Sequence, residues 1–247
     1  RRDAEEIQNL LRRKTRYYLL PLQLNSDSQI RTHSRSRGVP FLVKQVINSF
    51  FRHAPADTHQ VIKNHPLDTV LINYAAWIGR LVRRLKLQGR ILYLESGHLP
   101  TLLDHTLGVV TVNSSVGTSA FVHGCPTIAM GDAIYDMEGL TFQGPLDQFW
   151  TNLSPPDRKL YRDFRNTVIH TTQVNGGFYT RKGIRLGVQQ CAERMSEDYS
   201  RLQQLLLQTH GTPNICGTDI LPIMPATREL GLQPVDPPAD LVPLSAP

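Results

Sequence analysis

Along this chain the apolar residues fall into short blocks whose spacing switches between a helical period and a strand-like one. Residues 1–16 read as a basic amphipathic helix, and 17–24 as an apolar run short enough for a buried strand. Residues 41–53 have helical spacing, 59–63 read as a strand, and 74–87 as a helix closed near Gly89. The spacing then predicts a strand over 90–94, a short helix over 100–105 and a β-rich run over 108–112. A helix over 116–123 ending at Gly124 and a final strand over 126–130 complete the series.

Strands alternating with helices in this way predict βαβ units and a parallel sheet covered on both faces. The expected fold class is α/β, a Rossmann-like parallel sheet with flanking helices. Beyond Gly131 the alternation stops: 145–152 and 156–170 look helical, Gly176-Gly177 is a turn, and 187–208 reads as one long helix. Prolines at 213, 222, 225, 234, 237, 238, 243 and 247 leave little scope for regular structure after Thr209. The expected divisions are 1–16, a basic helix or interdomain segment; 17–150, the Rossmann-like domain; 151–208, a helical extension packing on it; and 209–247, a proline-rich tail.

Composition narrows the class further. With 247 residues and 40% hydrophobic content the chain can bury a core without disulfide staples. Cys125, Cys191 and Cys216 are odd in number and form no C-x-x-C pair, so neither a disulfide framework nor a zinc site is indicated, and a reducing, cytoplasmic setting fits. The longest nearly apolar stretch, 69–82, contains Asn73 and Arg80 and falls short of the roughly 20 residues a spanning helix needs. The chain opens on Arg1 with no apolar signal region, which reads as a fragment boundary. A net charge of +6 and a pI near 9.4 favour anionic partners. The basic residues concentrate in 1–16 and at Arg80, Arg83, Arg84 and Lys86, either as solvated helix faces or as surfaces drawn to an anionic one.

In a parallel sheet all carboxyl ends lie along one edge, and ligands bind in the crevice outside it. The five predicted strands run into polar or glycine-rich segments: Asn25-Ser26-Asp27-Ser28-Gln29, Lys63-Asn64-His65-Pro66, Glu95-Ser96-Gly97-His98, Asn113-Ser114-Ser115-Val116-Gly117-Thr118, and Gly131-Asp132. Ser114 to Thr118 stand where a strand enters a helix, so hydroxyls and free N–H groups there suit a phosphate; a plain serine N-cap is the bland alternative. The segment is not a P-loop, since it lacks the Gly-Lys-Ser/Thr ending. Lys63 and His65 are two residues apart at a strand end and suit an anion, or else are a surface lysine beside a capping histidine. Asp27 is placed for a nucleophile or general base, or for a turn cap. No D-x-D occurs, which argues against a metal-held nucleotide diphosphate, so no metal or other cofactor is expected.

Pro21 to Gln29, Lys63 to Pro66, Thr111 to Gly117, Gly124-Cys125-Pro126 and Gly131 to Tyr135, taken in order, resemble the bacterial capsule polysaccharide biosynthesis family. The run Tyr135 to Gly144, followed by Leu146-Asp147-Gln148-Phe149-Trp150, is especially similar to its KpsS/LipB-type and KpsC-type β-Kdo transferases. The resemblance covers about residues 17–150, and less distinctly continues to about 208.

That resemblance implies a GT-B-like enzyme of which this chain is mostly the donor-binding half. CMP-Kdo would be the donor and a phosphatidylglycerol-type lipid or Kdo-lipid linker the acceptor, with retention of configuration. The enzyme would sit at the inner face of the cytoplasmic membrane, against an anionic surface, alongside other capsule assembly proteins. It makes Asp27 the candidate nucleophile and His65 a catalytic partner. Lys63 and His65 would hold the CMP phosphate or the Kdo carboxylate, Ser114, Ser115, Gly117 and Thr118 would bind CMP, and Ser28 and Gln29 would orient the sugar. The alternatives are another nucleotide-sugar transferase or epimerase, or a non-catalytic assembly or export factor. Nucleic-acid binding is not expected, because the basic segments lack an aromatic platform.

Overall fold

The structure, a computed structural model, describes residues 2–24, 38–68 and 72–210. The predicted proline-rich tail therefore lies outside the described residues from position 211 on. The chain divides into two compact units, residues 1–164 and 165–247.

The first unit is built on a five-stranded, wholly parallel sheet of order β3-β2-β1-β4-β5. Its elements are α1 (Arg2–Arg12), β1 (Tyr17–Pro21), α2 (Val39–His53), β2 (His59–Lys63), α3 (Tyr74–Arg84), β3 (Ile91–Leu94), α4 (Leu99–Leu103), β4 (Gly108–Thr111), α5 (Val116–Val122), β5 (Thr127–Ala129) and α6 (Leu146–Phe149). The α/β class and the parallel sheet with flanking helices are as the sequence predicts. Each predicted strand is present, most of them trimmed by a residue or two at the ends.

Strand β1 pairs with β2 from Tyr17↔His59 to Pro21↔Lys63, and with β4 at Tyr18↔Gly108 and Leu19↔Val109. Side chains alternate across it. Tyr18, Leu20 and Ile62 pack with Val43, Ile47 and Phe50 of α2 and with Ile78 of α3. Tyr17, Leu19 and Val61 pack on the other side with Ile7 and Leu10 of α1, Leu102 and Leu103 of α4, and Ala120 of α5. Burial on both faces is why the strands read as continuous apolar runs and not as alternating ones. α1 is tied in further by Asp3, whose carboxylate accepts from the backbone N–H of Ser96 at 2.8 Å.

An aromatic cluster anchors α6 to the sheet. Trp150 is 1% exposed, meets Tyr18 and Phe50 edge-on at 4.9 and 5.5 Å, and donates from Nε1 to Ser49 Oγ at 2.8 Å. The Tyr18 hydroxyl donates to the Trp150 carbonyl. Ser49 in turn donates to Asp147, which also contacts His53 Nε2 at 3.3 Å.

The division between units falls within α7 (Arg158–Thr172); α8 (Arg181–Met195) and α9 (Arg201–His210) follow. The single helix expected over 187–208 is two helices here. Ser200 accepts from Gln203 N–H while Gln203 Oε1 accepts from Ser200 N–H, a capping box that starts α9 afresh. Thr180 caps α8 through Gly183 N–H, moving its start ahead of Gly187. Gly176 approaches Gly187 so closely that a Cβ on it would lie 2.5 Å from the Gly187 Cα.

Trp150→Ala should cost roughly 3–5 kcal/mol, the usual range for truncating a large buried aromatic. Trp150→Phe should cost much less, because it keeps the ring contacts and loses chiefly the bond to Ser49. Equilibrium urea unfolding of the two variants checks the order; equal losses would mean that packing is not what Trp150 contributes.

Candidate functional site

Because the sheet is wholly parallel, the segments following all five strands lie at one edge. The strand order fixes where along that edge a crevice opens. α2 leaves β1 toward one face, while α5 leaves β4 toward the other, so the chain diverges between two adjacent strands.

At that point the ends of β1 and β4 are clasped by amides. Gln23, 8% exposed, donates to Asn113 Oδ1 at 3.0 Å, and its own Oε1 accepts from Asn113 N–H at 3.4 Å. Beyond Asn113, Ser114 Oγ accepts from Val116 N–H and the Ser114 carbonyl accepts from Gly117 N–H. Ser115 holds the N-cap position of α5 and its own hydroxyl makes no capping bond; the serine hydroxyl that takes a helix-start N–H is that of Ser114. Thr118 turns its hydroxyl back to the Ser115 carbonyl at 2.7 Å. Tyr135, 2% exposed, donates to the Ser114 carbonyl at 2.6 Å and lies over Gly117, where a Cβ would sit 2.4 Å from its ring. Gly117 is therefore small because a tyrosine ring covers it.

On the other side of β1 stands a second network. Lys63 ends β2 and is 6% exposed; its Nζ donates to the Asn64 carbonyl at 3.1 Å. Burial pulls its pKa below the ordinary lysine value. Asn64 donates from Nδ2 to both Asp68, at 3.0 Å, and Glu95, at 3.3 Å, and its Oδ1 accepts from His65 N–H. His65 Nδ1 accepts from Leu67 N–H at 3.1 Å, which puts the neutral ring's proton on Nε2. Burial and the Asp68 carboxylate push Tyr74 up to about 12, and burial with Glu95 and Asp68 raises Tyr93 as well.

The residues expected from sequence thus separate into groups. Lys63 and His65 flank β1 on one side, and Ser114, Ser115, Gly117 and Thr118 on the other, all at the same sheet edge. No direct hydrogen bond joins the two groups among the described residues. Asp27, Ser28 and Gln29, which follow β1 in sequence, lie outside the described residues. Sequence reasoning assigned no role to Gln23, Asn64, Asn113 or Tyr135. Their signal was polarity at a strand end, or in the case of Tyr135 membership of the segment after β5, and neither identifies a partner.

An open parallel sheet that diverges between β1 and β4, with polar segments gathered at that edge, defines a Rossmann-like ligand-binding domain. The chain belongs to the capsule polysaccharide biosynthesis family, whose profile, "Capsule polysaccharide biosynthesis protein", matches residues 1–179. It is 40% identical over 166 residues to the capsule polysaccharide modification protein LipB of Neisseria meningitidis serogroup A, covering 67% of this chain and 40% of that protein. It is 45% identical over 164 residues to the capsule polysaccharide export protein KpsS of Escherichia coli, covering 66% of this chain and 42% of that one. The chain therefore spans about two fifths of the length of these relatives. Among solved structures, the β-Kdo 2,7 transferase of Thermosulfurimonas dismutans KpsC aligns with 60% of this chain and 50% of its own, at 17% identity and a TM-score of 0.39. The family assignment does not rest on that likeness.

The Gly117 and Tyr135 contact can be isolated by a double-mutant cycle. Gly117→Ala should destabilise by roughly 1–3 kcal/mol, as overpacking does, and in a Tyr135→Ala background most of that cost should vanish. Denaturant midpoints of the four proteins measure it; additive losses would show that the ring does not dictate the glycine.

Proposed function

We propose that this chain is the donor-binding half of a GT-B-like capsule polysaccharide glycosyltransferase. It would transfer Kdo from CMP-Kdo to a phosphatidylglycerol-type lipid or Kdo-lipid linker with retention. The observation that carries the reading is Lys63, a cation almost wholly buried at the ligand edge whose only hydrogen-bond acceptor among the described residues is a neighbouring carbonyl. A buried charge without a counter-charge is costly, and an anionic ligand would offset that cost. Membership of the capsule family and the KpsS and LipB relatives support capsule chemistry.

In this reading Lys63 holds the CMP phosphate or the Kdo carboxylate, and the Nε2–H of His65 is available to the departing phosphate oxygen. Ser115, Ser114 and Thr118 receive the nucleotide on the turn that Gly117 allows beneath the Tyr135 ring, while Ser28 and Gln29 orient the sugar. Asp27 attacks the anomeric carbon of Kdo as its bond to the CMP phosphate oxygen breaks. The acceptor hydroxyl then displaces the Asp27 carboxylate and passes its proton to the released CMP phosphate, so two inversions give net retention. No metal is needed to hold a diphosphate, since the leaving group is a monophosphate. The exposed cations of the first helix and its turn, Arg2, Arg12, Arg13 and Lys14, and those of the α3 end, Arg80, Arg83, Arg84 and Lys86, bring the enzyme to an anionic inner membrane face as a peripheral protein. Among the described residues no helix is long and apolar enough to cross a membrane.

Ligand-dependent thermal shift tests the donor. CMP at about 100 times its Kd should stabilise by roughly 2.7 kcal/mol, and more than UDP, GDP or ADP at the same concentration. Lys63→Met should fold at least as stably and lose the CMP shift. Asp27→Asn should keep the shift and, in a protein that also carries an acceptor-binding half, lose transfer from CMP-Kdo. A larger shift with UDP would reassign the donor, and a full shift in Lys63→Met would remove the anion role.

Vesicle flotation tests the membrane. Recovery should favour phosphatidylglycerol-rich over neutral vesicles at low salt and decline as salt screens the charges. Each surface cation is worth about 1 kcal/mol, so replacing Arg80, Arg83, Arg84 and Lys86 together by glutamine should lower recovery several-fold. Equal recovery with both vesicle types would sink the idea.

A further inference from the structure

Away from the sheet edge, a cavity of about 450 Å³ runs along the outer side of α2, with Pro145, Leu146 and Asp147 as its far wall. Its volume lies within the range of small-ligand sites, roughly 300–1,000 Å³. Lys44, Asn48 and Arg52 form one i, i+4, i+8 row along the helix, and Phe41, Gln45 and Ser49 form the row beside it. The two cations are thus spaced by about 12 Å along the axis, from eight steps of 1.5 Å. Lys44, Gln45, Asn48 and Arg52 make no side-chain hydrogen bond or ion pair with another described residue.

The single carboxylate in the wall does not cancel this charge. Asp147 accepts from Ser49 Oγ at 2.5 Å and contacts His53 at 3.3 Å, so its oxygens are already engaged. What remains is two cations with two amides between them, and at one end the Phe41 ring, 48% exposed. Amides offer paired donor and acceptor groups that match vicinal hydroxyls, and an exposed ring face accepts the C–H side of a sugar. Spaced cations suit carboxylates repeated along a chain, where a lone phosphate would need them converged.

We propose that this groove binds an acidic oligosaccharide, with Lys44 and Arg52 on carboxylates two or three sugar residues apart, Gln45 and Asn48 on hydroxyls between them, and Phe41 against a sugar face. The groove shares no lining residue with the segments at the sheet edge, and the proposal does not depend on the identity of the nucleotide donor.

Calorimetric titration of the chain with a galacturonate hexasaccharide, and with maltohexaose as its uncharged counterpart, tests this. The acidic hexasaccharide should bind, more weakly as salt is raised, and maltohexaose should bind at least about tenfold more weakly. Lys44→Gln and Arg52→Gln should each raise the Kd for the acidic hexasaccharide about tenfold, the scale of one lost charge-assisted hydrogen bond. Phe41→Ala should weaken both sugars. These side chains are exposed, so unfolding midpoints and the CMP-dependent shift should not move. Equal affinity for the two sugars, or unchanged affinity in both charge variants, overturns the proposal. Loss of vesicle recovery in those variants with oligosaccharide affinity intact overturns it too, by assigning the groove to a lipid surface.

Discussion

Strand β1 must serve two neighbours that belong to opposite halves of the fold, and the divergence of the helices after β1 and β4 to opposite faces follows from it. Its ladder to β2 continues through Leu22 N–H to the Lys63 carbonyl, past the last paired residues. Its ladder to β4 stops at Leu19↔Val109, and beyond that the strands are free to splay as their helices leave for different faces. The two bonds between Gln23 and Asn113 bridge this divergence. Amides suit the position because each can give and accept in one plane, satisfying buried polar atoms on both strands at once.

The strands were legible because parallel strands buried on both faces lose the alternation that a half-exposed sheet shows, leaving short runs such as Tyr17 to Pro21 and Gly108 to Thr111. Their order was not legible, since nothing local distinguishes a strand that adds beside its predecessor from one that crosses to the far side of β1. The break between α8 and α9 was written locally, as Ser200 followed by Gln203, but apolar residues continue at helical spacing through it and mask the cap. Here capping chemistry was the better guide than periodicity.

At the site, the sequence identified which segments reach the edge but not what each residue does there. Gly117 entered only as one of the residues expected to bind CMP, and the structure shows a tyrosine from beyond β5 occupying the space over it. Asn64 carried no assigned role between Lys63 and His65, yet its single amide group ties Asp68 and the β3-end carboxylate Glu95 together. Both roles depend on contacts made across the sheet edge, and such contacts leave no trace in local spacing. The tyrosine that holds the Ser114 carbonyl also meets Phe121 at 5.4 Å, so the turn is positioned by the same small core that seats α5.

Lys63 presents the sharpest energetic problem in the fold. Its pKa is lowered by burial, so the unfolded chain binds the proton more tightly than the folded one. The group therefore detracts from stability wherever it is charged in both states, and the deficit fades as pH rises from the lowered value past the ordinary 10.5. A leucine or methionine at the same place would avoid the deficit. Asp68 and Glu95 do not relieve it, because Asn64 holds both carboxylates and Lys63 turns to a backbone carbonyl. Burial alone accounts for the lowered pKa, with no carboxylate charge acting on the lysine. Under the proposed function, an anion that relieved this cost on binding would contribute to the stability of the domain that holds it.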